Sequence, residues 1–447
     1  MGDPSNPSAS LRIVVLDHTG AVGGAELALL RLLDHIDADI SVRTILFSDG
    51  PLARAIADAG HDVEVFPLSP QIAAAGREAS GGTRITALVN AIRVLPYAVR
   101  LGLHLRRLDP DLIHTTSLKA DLIGLVAARV AGRPMVWHIH DRISPDYLPM
   151  PLVTLVRRLA RWAPSRVIVN SAGTAVTLPK AKGLTIAYPG FSPAQLGPSP
   201  HNRARPEPPV IGIVGRISPT KGQLSFVRAA AVVQARHPGA RFRIVGAPLF
   251  GEDAYEARVK AEVEKLGMTD AVEFTGFLED PTDELDRMSV CVHASGQPEP
   301  FGQVIVEAMA RGVPVVATRG GGVTEIVHPS PEIEPFGWLV PRDDVDALAE
   351  AIIAVLDQPE VALSRALAAW REVQERFSII RTADAIQTVW RDAARPPLAE
   401  APAAGVDPDR ADAADTGIGD TAVVAPAPAP AGLRPSVWSQ PGPASHS

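Results

Sequence analysis

The run Val210-Ile-Gly-Ile-Val-Gly215-Arg216-Ile-Ser-Pro-Thr-Lys221-Gly222 is a short apolar stretch that ends in a turn and opens the helical pattern Gly222–Arg236. A buried strand running straight into a covering helix is the repeating unit of a parallel sheet. In doubly wound sheets ligands bind beyond the C-terminal ends of the strands, which is where Arg216 and Lys221 fall. Two cations on one such turn suit a diphosphate, the alternative being a solvated turn with two exposed bases. The loop is not a Walker loop, because Lys221 precedes the glycine and no Ser or Thr follows it.

Working outward, the same alternation continues through strand candidates Arg241–Val245, Val272–Thr275, Val290–His293 and Val313–Ala317. Helical patterns lie near Ala254–Leu266, Gln303–Arg311, Asp343–Leu356, Leu363–Glu375 and Phe377–Trp390. The first half shows a second series, with strands at Leu11–Leu16, Val42–Phe47, Asp62–Phe66, Asp111–Thr115, Met135–His138, Arg166–Asn170 and Thr185–Tyr188. Its helices are expected at Gly24–Ile36, Pro51–Ala59, Thr83–Arg107, Ser117–Ala131 and Pro149–Trp162. The fold class is therefore α/β, with two doubly wound domains at 11–190 and 210–376. Residues 191–209, crowded with proline, read as the linker and hinge between them. Residues 377–394 form a last amphipathic helix. Residues 1–10 and the Ala/Pro-rich segment 395–447 are expected to be disordered.

Composition narrows the class further. At 46% hydrophobic and 21% charged, the 447 residues suit two globular cores. No apolar run is long enough to span a bilayer, and the N-terminus lacks a secretion signal, so a cytoplasmic protein is expected. The single cysteine, Cys291, sits in an apolar run and reads as a buried, inert thiol. A net charge of -7 disfavours nucleic acid as a partner. Residues 1–200 nevertheless carry 20 Lys and Arg against 16 Asp and Glu, and the remainder 23 against 34.

Three further segments carry candidate chemistry. In Ser295-Gly-Gln-Pro-Glu299-Pro-Phe301-Gly302-Gln303-Val-Ile-Val-Glu307, two carboxylates bracket a Pro-Phe-Gly turn that starts a helix. Exposed N–H groups at such a start attract phosphate, and glutamates beside them accept from sugar hydroxyls. Following strand Leu11–Leu16, Gly20-Ala-Val-Gly23-Gly24-Ala-Glu26 opens another helix with a glycine turn unlike the dinucleotide fingerprint. Finally, His138-Ile-His140-Asp141 puts His140 and Asp141 at a strand end facing the presumed cleft, with His138 expected on the opposite face.

Taken in order, these motifs resemble those of retaining GT-B glycosyltransferases of the large family numbered four, over residues 11–392. Gly23-Gly24-Ala-Glu26, His140-Asp141, Gly215–Gly222, Glu299–Glu307 and Gly321-Gly322-Val-Thr-Glu325 match that family's sequence of elements. The resemblance implies two Rossmann-like domains facing across a cleft, with the last helix crossing back to the first. It implies that Arg216 and Lys221 hold the donor diphosphate and that Glu307 bonds the ribose. Glu299 and the backbone N–H groups of Phe301, Gly302 and Gln303 would position the sugar, and His140 would contact it from across the cleft. Glycines 23 and 24 would let backbone approach the donor. A UDP- or GDP-sugar is the expected donor and a glycan, lipid-linked or small molecule the expected acceptor.

No Asp-x-Asp pair occupies a credible phosphate loop, so no metal or other cofactor is expected, fixed cations and helix ends taking its place. Replacing either cation should then abolish most transfer and leave folding intact. A sugar-nucleotide epimerase or phosphorylase, or a non-catalytic nucleotide-sugar-binding protein, would share the cleft. The Glu299–Glu307 spacing favours a transferase, and retention of both cations and both glutamates argues for catalysis. In Arg84–Arg107 no acidic residue occurs and Arg93, Arg100 and Arg107 recur every seven residues, with Pro96 expected to kink or restart the helix. With Arg157, Arg158 and Arg161 they form either solvated covering helices or a surface for anionic lipid on the inner face of the membrane.

Overall fold

The computed structural model describes residues 11–68, 84–249, 251–278 and 280–394, excepting the side chains of 84–93. Expectations for residues 1–10, 395–447 and the side chain of Arg93 lie outside the described residues.

The first domain is a seven-stranded sheet: β1 Leu11–Asp17, β2 Ile40–Leu46, β3 Asp62–Val65, β4 Leu112–Thr115, β5 Met135–Ile139, β6 Arg166–Val169 and β7 Leu184–Ile186. The strands are parallel in the order β3-β2-β1-β4-β5-β6-β7. The second sheet holds β8 Val210–Val214, β9 Arg241–Val245, β10 Val272–Gly276, β11 Val290–His293, β12 Val315–Thr318 and β13 Trp338–Val340. It is also parallel, in the order β10-β9-β8-β11-β12-β13. Strand order reverses between β1 and β4 and again between β8 and β11, so each sheet leaves a ligand crevice at that point.

Helices cover both faces, which is why the central strands are continuous apolar runs rather than alternating ones. Ile13 to Leu16 and Val290 to His293 are buried throughout. The strand Trp338–Val340 and the helix Gly322–Val327 escape the sequence reading, the first being too short to show a period and the second starting in a Gly-Gly pair that reads as a turn.

The last helix, Ile379–Ala394, crosses back to the first domain. Its Ala383, Ile386, Val389, Trp390 and Ala393 join the core formed by Ile13, Val15, Leu29 and Leu32. Trp390 is fully buried and its indole N–H donates to His114 Nδ1 at 2.8 Å. Arg391 reaches Asp37 at 2.7 Å, and the backbone N–H of Asp37 donates to Gln387 Oε1 at 2.8 Å.

Helix Arg84–Leu108 runs through Pro96 without restarting, because Tyr97, Ala98, Leu101 and Leu105 bury one face on the sheet and outweigh the one lost backbone bond. The proline-rich run after Phe191 is folded into turns of its own. It forms the turns Pro193–Gln195 and Pro200–Asn202 and lies on the second domain, where Gly197 N–H donates to Ala310 O at 3.0 Å and Trp370 Nε1 to Gly197 O at 3.2 Å. The chain passes between domains at Phe191 and Ser378, where Phe191 N–H bonds Phe377 O and Ile379 N–H bonds Phe191 O, both at 3.0 Å.

Candidate active site at the paired switch points

Gly222 shapes the first wall. Its φ of +76° favours glycine, and a Cβ there would stand 1.9 Å from Ala294 O. The loop after β8 is thereby pressed onto the end of β11, an approach held by Ser295 Oγ donating to Thr220 O at 2.6 Å. Lys221 lands on Glu299, forming an ion pair through Oε1, while His293 Nε2 lies 3.4 Å from Oε2. Burial pushes the Glu299 carboxyl upward, yet Lys221 and His293 outweigh it and hold it well below the usual carboxylate range. Arg216 heads the same loop, its carbonyl accepting from Gln223 Nε2 at 2.9 Å.

The Pro-Phe-Gly turn is fastened from two sides. Gly321 has φ +61° and a Cβ there would meet Glu299 O at 1.9 Å; Gly322 N–H donates to that same oxygen at 3.0 Å. From the first domain, Ser171 Oγ donates to Pro300 O at 2.5 Å. The Phe301 ring is buried against Tyr188 and Phe377, so only its backbone faces the crevice. Gly302, with φ +117°, caps helix Gln303–Ala310 without a side chain. No side chain caps its first N–H groups, an arrangement that suits an anion.

The other helix start lies opposite. Gly23 caps Gly24–Leu33, also without a side chain, and a Cβ on Gly24 would come within 3.3 Å of Gln303 Oε1. Two positive dipole ends thus converge across the interdomain crevice. The Glu26 carboxylate folds back onto the backbone N–H groups of Glu26 and Gly23, as in half of a capping box. Burial and the nearby Asp17 nevertheless raise its pKa to about 7. Asp17 itself is buried and bonded by Thr116 Oγ1 at 2.5 Å, while His18 Nδ1 sits 2.8 Å from Ser117 Oγ. Gly20 has a packing role, since a Cβ there would overlap the Ser48–Asp49 backbone.

His140 reaches the crevice floor beside Thr116, and burial lowers its pKa, favouring the neutral imidazole. The expectation that His138 points to the opposite face is corrected: residues two apart on a strand share a face, and the two ring centroids lie 4.0 Å apart with the planes tilted by 37°. His138 lies beneath His140 and next to His114, whose pKa burial and the neighbouring His140 push down to about 3. Tyr147 donates to Asp141 Oδ1 at 2.7 Å.

Glu307 pairs across the crevice with Arg31, Nη2 to Oε1 at 2.8 Å, and accepts from Gln303 Nε2 at 3.3 Å. Sequence reasoning passed over Arg31, His293 and the task of Glu325. Glu325 bonds the backbone N–H groups of Ala172 and Gly173 at 3.0 and 2.9 Å and accepts from Tyr188 at 2.9 Å. His293 ends the strand at the switch point, a place where strand position could have marked it. Nothing in local sequence sets Arg31 apart from any other helix arginine.

Residues 51–194 match the model of Glycosyltransferase Family 4 and residues 199–369 that of Glycosyl transferases group 1. A 2-deoxystreptamine glucosyltransferase of Streptomyces kanamyceticus is 30% identical over 327 residues, covering 66% of this chain and 82% of the relative. A D-inositol 3-phosphate glycosyltransferase of Acidothermus cellulolyticus is 30% identical over 393 residues, covering 76% and 84%. Among solved structures, Anabaena HepE in complex with UDP and glucose superposes with a TM-score of 0.71 at 27% identity, covering 85% of this chain and 99% of that one. The two facing parallel sheets with a returning last helix are the GT-B fold, and the chain belongs to the glycosyl transferases group 1. It is a glycosyltransferase.

Proposed function

We propose that this enzyme moves a sugar from a UDP-sugar to a glycan or lipid-linked acceptor, with retention at the anomeric carbon and without a metal. The observation that carries the reading is the meeting of two side-chain-free helix starts, at Gly24 and Gln303, beside the cationic loop of Arg216 and Lys221. Breaking the anomeric C–O bond sends its electron pair to the diphosphate, so charge grows where those dipole ends and cations point. Glu307 takes the ribose, and the Phe301–Gln303 N–H groups with Glu299 orient the sugar. A neutral His140 donates or accepts a hydrogen bond at the sugar without adding charge near its developing cation. HepE, whose complexes contain UDP and UDP-glucose, favours uridine over guanosine as the base.

A lipid-linked acceptor agrees with the outer layer of the first domain. Helix Arg84–Leu108 exposes Leu95, Val99 and Leu103, one turn apart, beside Arg106 and Arg107. Helix Met150–Trp162, covering the same sheet face, exposes Leu155 and Trp162 beside Arg158 and Arg161, with Trp162 71% exposed. Neither helix contains an acidic residue, a pattern suited to anionic lipid. No described helix is long and apolar enough to cross a membrane.

The deciding experiment is a thermal-shift panel of UDP-, GDP- and ADP-sugars in EDTA, followed by nucleotide release from the sugar that binds. A rise in Tm with UDP-sugars alone and turnover in the chelator are expected. Stabilisation by GDP- or ADP-sugars instead, or activity restored only by magnesium or manganese, would overturn the donor or the metal-free assignment.

A further inference from the structure

The ion pair between Arg31 and Glu307 joins a first-domain helix to the helix on which the donor is proposed to lie. Both side chains are largely enclosed, at 15% and 12% exposed, so the contact is not a solvated surface pair. Arg31 is itself held. Nη1 lies 3.5 Å from Gly190 O, beside the interdomain passage, and its backbone carbonyl is 2.8 Å from His35 Nδ1. Gly190 is fixed in turn, since a Cβ there would meet Ile379 backbone at 2.5 Å. The bonds from Arg31 and Gln303 both end on Oε1 of Glu307. They orient the carboxylate through Oε1, and neither bond engages Oε2.

We infer that Arg31 is a positioning residue for donor recognition: it fixes Glu307 from the opposite domain, so that the ribose is read only when the domains are apposed. This rests on the proposed placement of the ribose at Glu307. A charge-assisted hydrogen bond through one carboxylate oxygen fixes geometry without consuming the other. A carboxylate on a single helix, tethered only by Gln303, would keep rotamer freedom and lose discrimination on each encounter. The chemical group recognised is the vicinal diol of a ribonucleoside diphosphate sugar.

The test compares kcat/KM for a UDP-sugar and its 2′-deoxyuridine counterpart in wild type, Arg31→Met, Arg31→Lys and Glu307→Gln, with Tm recorded for each. Arg31→Met is expected to lower the ribo-to-deoxyribo ratio by roughly 10- to 100-fold, the range for one charge-assisted hydrogen bond, mainly through the KM of the ribo donor. Arg31→Lys should recover part of the ratio, and adding Arg31→Met to Glu307→Gln should lower it no further. If Glu307→Gln lowers the ratio and Arg31→Met does not, the positioning role is refuted while the ribose site stands. If Glu307→Gln leaves the ratio unchanged, the ribose site and the inference fall together. Equal loss on both donors in Arg31→Met, with or without a drop in Tm, marks a purely structural ion pair and also overturns the inference.

Discussion

Replacing Lys221 with methionine tests the site where stability and chemistry meet. The side chains of Lys221 and Glu299 are 29% and 17% exposed, so the substitution takes the nearer cation from a mostly enclosed carboxylate and leaves it the longer contact to His293. Removing one partner of a buried pair costs about 3–5 kcal/mol, and partial exposure here brings the expectation to about 2–3 kcal/mol at pH 7. For a domain of this size that is a fall of roughly 4–12 °C in Tm. The pH dependence follows from the depressed carboxyl. Its stabilising contribution is present above the ordinary value of 4.5 and is lost as pH falls through the lower folded-state value. In the variant, burial acts unopposed by Lys221 and raises the carboxyl, which then protonates and sheds its penalty. Urea unfolding of both proteins at pH 7 and pH 4 should therefore show the gap closing on acidification, and adding Glu299→Gln should restore part of it. Transfer should fall by roughly 10²–10³, the loss typical of one charge stabiliser. Equal stability at pH 7, or a gap that widens in acid, would refute the reasoning.

Glu26→Gln should flatten the pH profile of donor KM, because the native carboxyl, with pKa about 7, ionises above neutrality beside the helix start and repels a diphosphate. It should also remove a fall in stability between pH 4.5 and about 7, where the folded state holds a proton that the unfolded chain releases; an unchanged profile counts against it. Glu325→Ala leaves the N–H groups of Ala172 and Gly173 unpaired and should cost about 1–3 kcal/mol in denaturant unfolding, whereas a change below about 0.5 kcal/mol would remove it as an interdomain fastener. Vesicle co-sedimentation should show binding to anionic but not neutral liposomes, weakened by salt and by charge reversal at Arg106, Arg107, Arg158 and Arg161. Equal indifference to both lipids would favour an acceptor in solution.

The two sheets were legible because parallel strands buried on both faces leave long apolar signatures, as Val290–His293 and Met135–Ile139 do. Positions at strand ends are legible for the same reason, and Arg216, Lys221 and His140 fall at such ends, whereas Glu299 is marked by the Pro-Phe-Gly turn before its helix. What local sequence does not carry is partnership across the chain. Lys221 and Glu299 are separated by 78 residues and Arg31 and Glu307 by 276, so no periodicity links them. His138 is a different case: strand alternation, applied correctly, puts it with His140, and the structure does so.

The groups that would bind donor are also those that hold the domains together. Pro300 O accepts from Ser171 and Thr174 of the first domain, and Gly173 packs on the Gly321–Gly322 backbone that supports Glu299 O. Glu325 closes that contact, and Arg31 repeats it on the other flank of helix Gln303–Ala310. The turn bearing Glu299 therefore keeps its shape through first-domain contacts as well as its own helix. Separating the domains would release the Pro300 carbonyl, free Glu307 and part the two helix starts in one movement. Because these losses share one rigid-body coordinate, site assembly and domain apposition follow from the same set of hydrogen bonds. Substitutions at Ser171, Thr174 or Glu325, none of which faces the crevice floor, should then weaken donor binding together with interdomain stability.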